Sequence, residues 1–164
     1  MAEAEAGIRG SSVKIVPAEA ADIVRLGLLD ELDAELNERY PGEPTNGVEV
    51  EGFEESGGCF LLASVHGEPA GCGALRPLDA TGVEIKRMYV RRAHRGRGLA
   101  GELLVALERE ALARGYSRVL LETGTRQPEA IALYRRHGYQ PIEAFGPYVD
   151  LAFSVCFGKA LHAA

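Results

Sequence analysis

The sequence contains few cysteines and no long apolar run, and both shortages exclude whole classes of protein. Its three cysteines, Cys59, Cys72 and Cys156, show neither CxxC nor His-linked spacing, so they indicate neither a disulfide framework nor a zinc site. No apolar run approaches the ~20 residues of a membrane span, and the first residues lack the basic and apolar regions of a signal peptide. We therefore expect a cytoplasmic protein that binds no metal and no membrane.

Positive charge is also in short supply. Lys and Arg together number 18 against 24 Asp and Glu, a formal net charge of -6, which excludes a general attraction to nucleic acid. A chain of 164 residues has the length of one domain with one hydrophobic core. We expect that domain to cover residues 11–164, after a flexible N-terminal segment at residues 1–10 that is rich in Ala, Glu and Gly.

Apolar periodicity and turn residues predict an α/β fold. The predicted strands are Val13–Val16, Phe60–Val65, Pro69–Leu75, Val83–Val90, Val119–Leu121, Tyr139–Ile142 and Leu151–Phe157. The predicted helices are one that carries Leu29, Leu32, Leu36 and Tyr40 on one face, a short one before Gly57, Gly98–Arg114, and one from Pro128 to Gly138. This order favours a mixed sheet, antiparallel in its N-terminal half and parallel at its centre, with helices on both faces.

The strand Val83–Val90 contains an irregularity. Val83 and Ile85 share one parity, whereas Met88 and Val90 share the other. A slip of one residue would turn side chains to the wrong face unless one residue bulges out of the ladder. We therefore predict a β-bulge near Lys86 to Met88, and bulges commonly lie beside active sites.

A basic turn that contains glycine follows this strand and leads directly into a predicted helix. Its sequence is Val90-Arg-Arg-Ala-His-Arg-Gly-Arg-Gly-Leu-Ala100. Free amides at a helix N-terminus favour an anion, and Gly96 and Gly98 would let the backbone approach a pyrophosphate. Arg92, Arg95 and Arg97 add cationic side chains. These residues alone leave two readings open, an anion site and a solvated arginine-rich loop that binds nothing.

The same turn satisfies the GxGxxG pattern of dinucleotide-binding oxidoreductases through Gly96, Gly98 and Gly101, with Glu122 about 20 residues further on. That fingerprint requires a short turn after the first parallel strand of a βαβ unit. Here five residues separate Val90 from Gly96, and an antiparallel hairpin is predicted before the strand. An NAD-binding oxidoreductase is therefore the weakest of the hypotheses.

In this region the sequence resembles the GNAT superfamily of N-acetyltransferases, whose phosphate-binding signature is Arg/Gln-x-x-Gly-x-Gly/Ala after a bulged strand. Arg95-Gly96-Arg97-Gly98-Leu99-Ala100 matches the signature. The resemblance extends through Glu84–Val90 before the turn and Glu129–Tyr139 after it, and the order of elements agrees from Val13 to Phe157. It implies an acetyltransferase domain over residues 11–164 that uses acetyl-CoA as co-substrate.

The resemblance also implies which residues bind the coenzyme. The backbone amides of Arg95, Gly96, Arg97, Gly98, Leu99 and Ala100 would hold the pyrophosphate. The main chain of the Met88-Tyr89-Val90 segment would bind the pantetheine arm, in a V opened between this strand and the one at Val119. An amide near Met88 would face the thioester carbonyl. Gln127 stands where many relatives carry an Asn that contacts the pantetheine, which leaves that contact in doubt.

Two residues are candidates for the chemistry. Tyr134 matches the tyrosine that lies near the CoA sulfur in many relatives and would protonate the departing thiolate; the alternative is a packing role. Glu84 is the candidate general base, since an amine of pKa near 10 arrives protonated; the alternative is an exposed strand carboxylate.

No motif in the sequence identifies the acceptor. We expect a primary amine of a small molecule or peptide that reacts by direct attack in a ternary complex, with the loops Tyr40–Thr45 and Phe145–Tyr148 beside its groove. A non-catalytic CoA-binding domain is the alternative, and Gln127 favours it. Relatives are often dimers, so a homodimer with the strand Leu151–Phe157 at an edge or interface is a hypothesis by analogy.

Overall fold

The computed structural model describes residues 4–8, 11–44 and 47–163. The strands are β1 (Ala4–Ile8), β2 (Ser11–Ala18), β3 (Cys59–Val65), β4 (Glu68–Pro77), β5 (Gly82–Val90), β6 (Arg118–Gly124), β7 (Gln140–Ile142) and β8 (Ser154–Ala160). The α-helices are α1 (Ala20–Arg25), α2 (Leu28–Arg39), α3 (Leu99–Ala113) and α4 (Pro128–Arg136). Short 3₁₀ turns lie at Arg92–His94 and Gly146–Tyr148.

The strands form one sheet in the order β1-β2-β3-β4-β5-β6-β8-β7. Every neighbouring pair is antiparallel except β5 and β6, which run parallel where Gly82–Ile85 faces Arg118–Leu121. The predicted mixed sheet is thus confirmed. A dinucleotide-binding fold is built on a mostly parallel sheet, so this topology removes the structural basis for the NAD hypothesis.

Helices cover both faces of the sheet. On one face α1 and α2 pack through Ile23, Leu28 and Leu32 against Phe60 and neighbouring residues. On the other face α3 packs against β3, β4 and β5, Tyr134 of α4 packs on Phe157 of β8, and Leu103 and Leu107 of α3 are completely buried. The four-residue spacing of the α3 leucines therefore predicted the buried face correctly. Burial of each such leucine contributes about 1.5–3 kcal/mol.

Several predicted boundaries are corrected by the sheet. The last strand begins at Ser154 rather than Leu151, because residues 151–154 form a turn in which the Ser154 amide donates to the Leu151 carbonyl at 3.2 Å. Residues 51–57 form turns, so the short helix predicted before Gly57 is wrong. β8 lies between β6 and β7, so the last strand is not the sheet edge that the dimer hypothesis considered.

The N-terminal segment was expected to be flexible over residues 1–10. Within it the structure places β1, which pairs antiparallel with β2 from Ala4–Ile15 to Ile8–Ser11. Residues 1–3 and 9–10 lie outside the described residues. The division at residue 10 stays a prediction.

The three cysteines are buried and free. Across residues 4–8, 11–44 and 47–163, the helices are too short or too polar to cross a bilayer.

Candidate active site

A cleft opens where β5 and β6 separate. Their last pair is Ile85–Leu121; beyond it β5 continues against β4, and β6 continues against β8. The cleft has a volume of about 370 Å³ and is lined by residues of α2, β5, β6 and α4 and by the segment 148–154. This is the V that the sequence resemblance implied. Tyr40 and Tyr148, from the two loops expected beside the acceptor groove, both line it.

The predicted bulge lies on β5 at the wall of this cleft. Cys72 faces Tyr89 and Ala74 faces Lys86, so Gly73 faces two residues, Arg87 and Met88. Arg87 has φ 56°, a left-handed conformation that is unfavourable for a residue with a side chain. Its guanidinium is held by Asp33 at 2.6 Å. As a result Met88 packs on the α3 side of the sheet, beside Tyr134.

The glycine turn presents its backbone at the start of α3. Gly96 and Gly98 have φ 79° and 81°, and a Cβ placed on either would meet no atom within 4 Å. Gly98 is the N-cap of α3, and no described side chain caps the first turn. The first amides of a helix have no intrahelical acceptor, and they carry the positive end of its dipole. The turn Arg95–Ala100 therefore fits the pyrophosphate of a coenzyme.

The arginine side chains of this turn do not all point at that anion site. The acidic face of α2 binds most of them: Arg95 pairs with Glu35 at 2.8 Å, and Arg92 lies 3.5 Å from Glu38. Arg97 is exposed and has no ion pair with any residue that the structure describes. Two of the three cationic side chains that the sequence offered to an anion are thus paired with α2, and the backbone amides and Arg97 are the groups left to bind one.

The end of β5, just before the turn, also has one of its backbone groups already hydrogen-bonded within the protein. The Val90 carbonyl accepts a hydrogen bond from Arg95 Nε at 2.7 Å, which leaves one lone pair for a pantetheine amide. The Tyr89 ring packs on the opposite face of the sheet, 5.5 Å below the Arg95 guanidinium. Binding of pantetheine by Met88, Tyr89 and Val90 through the main chain remains a prediction.

Tyr134 projects from α4 to the cleft. It is 7% exposed, and its hydroxyl lies 3.9 Å from Met88 Sδ, a weak acceptor. Its ring also packs on Tyr139 and Phe157. Burial raises the pKa of the Tyr134 phenol above its ordinary value of 10, and the Glu122 carboxylate raises it further. The residue therefore combines a packing ring with a protonated hydroxyl that is free to donate.

The position of Glu84 differs from both expectations from the sequence, an accessible general base and an exposed strand carboxylate. It is completely buried, so the exposed-carboxylate alternative is wrong. Arg76 binds Oε1 at 2.5 Å, and the Tyr148 hydroxyl donates to Oε2 at 2.7 Å. Lys86 Nζ in turn donates to the Tyr148 oxygen at 2.8 Å. Both carboxylate oxygens of Glu84 thus have a protein partner, and although the residue borders the cleft it exposes no surface to it.

From the sequence, Glu122 was assigned a place only in the rejected dinucleotide-binding pattern. In the structure it lines the cleft, half-buried, and Ser154 Oγ donates to its Oε1 at 3.0 Å. Burial raises the pKa of Glu122 to about 7. Its position directly after the apolar run Val119–Leu121 was the only available signal, because a polar residue at the carboxyl end of a central strand commonly marks a site.

Gln127 has a structural role that explains why this chain has no Asn there. Its Oε1 accepts from the Gly124 amide at 3.1 Å and from the Tyr40 hydroxyl at 3.4 Å. A Cβ on Gly124 would collide with the Tyr40 hydroxyl, so this turn is closely packed. Gln127 closes the connection from β6 to α4, and its contact with a coenzyme remains a prediction.

The ion pair between half-exposed Arg76 and buried Glu84 gives a stability prediction. Arg76→Met leaves the Glu84 carboxylate buried with Tyr148 as its remaining hydrogen-bond partner; because the Arg76 side chain is 38% exposed, we expect a cost of about 2 kcal/mol of unfolding free energy, less than for a fully buried pair. We expect this loss in urea denaturation, and most of it should be recovered in the double variant Arg76→Met/Glu84→Gln. Arg25→Met, which removes an exposed pair with Asp22, is the control and should cost less than ~1 kcal/mol. An equal loss in both single variants would contradict the assigned role of the Arg76–Glu84 pair.

Comparison with known proteins agrees with this geometry. The model of the acetyltransferase (GNAT) family matches residues 27–139. The IAA acetyltransferase of Azospirillum brasilense is 40% identical over 136 residues, which cover 82% of this chain and 88% of that protein. A solved structure from Klebsiella pneumoniae is 34% identical, with a TM-score of 0.76 over 92% of this chain and 98% of the other.

A more distant structure shares the fold. A GNAT family acetyltransferase from Elizabethkingia anophelis, solved with acetyl-CoA bound, is 18% identical with a TM-score of 0.61 and covers 91% of this chain and 98% of its own. The family match spans the bulged strand, the glycine turn and the Tyr134 helix, which are the elements that build the cleft. The chain therefore belongs to the GNAT family of acetyltransferases and is an acetyl-CoA-dependent N-acetyltransferase.

Proposed function

We propose that the protein transfers the acetyl group to a primary amine of a small molecule or peptide by direct attack in a ternary complex. The observation that carries the proposal is the cleft itself. It opens between β5 and β6 with the Tyr134 hydroxyl and the bulge at Met88 on its wall. The coenzyme arm and the acceptor would therefore meet in one cavity, which supplies the proximity that a two-substrate reaction needs.

The cysteines favour direct attack over a covalent acetyl-enzyme. Cys59, Cys72 and Cys156 are all buried. Burial raises the pKa of the Cys72 thiol to about 12, and it also raises the pKa of the other two thiols. A reactive cysteine requires the thiolate form and access to the substrate. None of the three meets both conditions.

We propose that Tyr134 assists the departure of the CoA sulfur. Because burial raises its pKa, the phenol stays protonated, and full ionisation towards a thiolate would be uphill. We therefore infer that Tyr134 donates a hydrogen bond to the sulfur and passes on the proton that the attacking nitrogen releases. A backbone amide at the bulge near Met88 would stabilise the oxyanion, an effect worth roughly 2.7–4 kcal/mol in other acyl transfers.

Initial-rate kinetics test the proposal. Thiol release should be measured with a panel of primary amines, amino acids and peptides while acetyl-CoA and acceptor are both varied. A ternary-complex mechanism predicts double-reciprocal lines that intersect. Parallel lines, or a burst of thiol release without an acceptor, would overturn direct attack in favour of an acetyl-enzyme.

The homodimer is retained as a proposal from the family resemblance. β8 is internal to the sheet and offers no edge, so an interface would use another surface. Sedimentation equilibrium measures the mass directly. A single species near 17.6 kDa at micromolar concentration would contradict the dimer.

A further inference from the structure

We propose that Glu122, rather than Glu84, removes the proton from the acceptor amine; this assignment rests on the function proposed above. Glu122 directly follows the last pair that joins β5 to β6, Ile85–Leu121. Its half-buried side chain lines the cleft where the two strands separate. An acceptor in the cleft reaches this carboxylate without any rearrangement of the protein.

The sheet register orients the carboxylate. Glu122 faces Cys156 and Gly124 faces Ser154 across the β6–β8 ladder, so the side chains of Glu122 and Ser154 are diagonal neighbours on one face. Ser154 Oγ donates to Glu122 Oε1 at 3.0 Å. Oε2 accepts no hydrogen bond from the residues that the structure describes, which leaves it available to an ammonium group.

The surroundings of Glu122 suit a base at neutral pH. The titratable groups that face it from neighbouring elements are Glu84 and Lys86 of β5, Tyr134 of α4, Cys156 of β8, and Tyr40 and Tyr148 of the loops. Burial raises the pKa of Glu122 from 4.5 to about 7; the Glu84 charge adds to the increase, and Ser154 and Lys86 oppose it. A base of this pKa accepts a proton readily and releases it to water.

Glu84 has a different role in this arrangement. Its two oxygens are bound by Arg76 and Tyr148, and its side chain, although it borders the cleft, is completely buried. Its negative charge acts on Glu122 through space and raises the pKa of that residue. Glu84 is thus a positioning residue for Glu122 and for the Tyr148 loop.

The proton balance of the reaction then closes. Glu122 takes one proton from the ammonium acceptor, and the free amine attacks the thioester carbonyl carbon. The C–N bond forms and the C–S bond breaks. The second proton leaves the nitrogen and reaches the CoA sulfur through Tyr134. The products are the amide, the CoA thiol and a protonated Glu122, which returns its proton to water.

The test is the pH dependence of kcat/KM for the amine at saturating acetyl-CoA. In the wild-type protein we expect the rate to fall as pH decreases through about 7, the pKa of Glu122. Glu122→Gln should lose this inflection and about 100-fold of the rate. Ser154→Ala should move the inflection to higher pH, and Glu84→Gln should move it to lower pH, because their effects on the Glu122 pKa have opposite signs.

A second readout does not depend on activity. The folded-state pKa of Glu122 lies above 4.5, so the native protein binds more protons than the unfolded chain between pH 4.5 and about 7, and stability contributed by Glu122 falls as pH rises through that window. The Tm of Glu122→Gln should not show this decrease as pH rises. If Glu122→Gln keeps the wild-type rate and the wild-type inflection of its pH profile, the base role of Glu122 is overturned and the proposed function stands. A wild-type protein that is stabilised by acetyl-CoA and acetylates no amine would overturn the proposed function, and the base role with it.

Discussion

Gly98→Ala is expected to raise the KM for acetyl-CoA by at least about tenfold, the equivalent of about 1.4 kcal/mol of binding free energy. Gly98 has φ 81° and is the N-cap of α3, and a Cβ there would touch no atom of the protein within 4 Å. The methyl group would therefore occupy the space in which the pyrophosphate approaches the backbone. Backbone strain adds a separate cost to stability, roughly 1–2 kcal/mol for a left-handed alanine.

Gly115→Ala separates these two effects. Gly115 follows the other end of α3, has φ 91°, and also has open space around a Cβ. Both variants should lower Tm by a similar amount, whereas the KM for acetyl-CoA should change in Gly98→Ala alone. Steady-state kinetics and thermal denaturation of the two proteins measure this. An unchanged KM in Gly98→Ala would place the coenzyme phosphates elsewhere.

Tyr134→Phe is expected to lower kcat by about 100-fold, the range that a positioned proton donor contributes. The KM for acetyl-CoA should change by less than about twofold, because the ring and its contacts with Tyr139 and Phe157 remain. Stability should change little as well, since the hydroxyl has only a weak contact with Met88 Sδ at 3.9 Å.

Tyr139→Phe is the matched control. Tyr139 lies in the same aromatic cluster, with ring centroids 5.8 Å from Tyr134, but its hydroxyl donates to Glu108 away from the cleft. Loss of that hydroxyl leaves a buried acceptor with one partner fewer and should cost about 1–3 kcal/mol of stability. We expect kcat to stay near the wild-type value. Equal loss of kcat in both variants would make Tyr134 a packing residue only.

The backbone features of the proposed anion site were predictable because their determinants are local. A strand, a turn with two glycines and a helix start lie within the single stretch from Gly82 to Leu99, and each is recognisable from spacing and residue type. The bulge was readable for the same reason, since the parity of β5 changes within a few residues. The same patterns misplaced the start of β8, because the alternating residues from Leu151 to Phe153 belong to a turn that the Ser154 amide closes onto the Leu151 carbonyl.

The chemical groups in the cleft were only partly predictable. Glu84 was found, but its partner Tyr148 lies 64 positions further along the chain. Glu122 and Ser154 are separated by 32 positions and meet because β8 pairs with β6. The sequence offered Arg95 as a cationic side chain for phosphate, yet it binds Glu35 of a helix 60 positions earlier. Burial and these distant partners determine which groups an acceptor can reach.

The sequence by itself predicted the turn from Arg95 to Ala100 as the coenzyme anchor, and it indicated the bulge before the turn and the membership in an acetyltransferase family. Those features depend on backbone conformations that neighbouring residues impose. Only the tertiary structure decided that Glu84 is completely buried with both oxygens bound, while Glu122 is half-buried in the cleft and has Ser154 as its partner at Oε1. The physical reason is that the pKa and accessibility of a carboxylate depend on the groups that surround it in space, and strand order brings those groups together from distant parts of the chain.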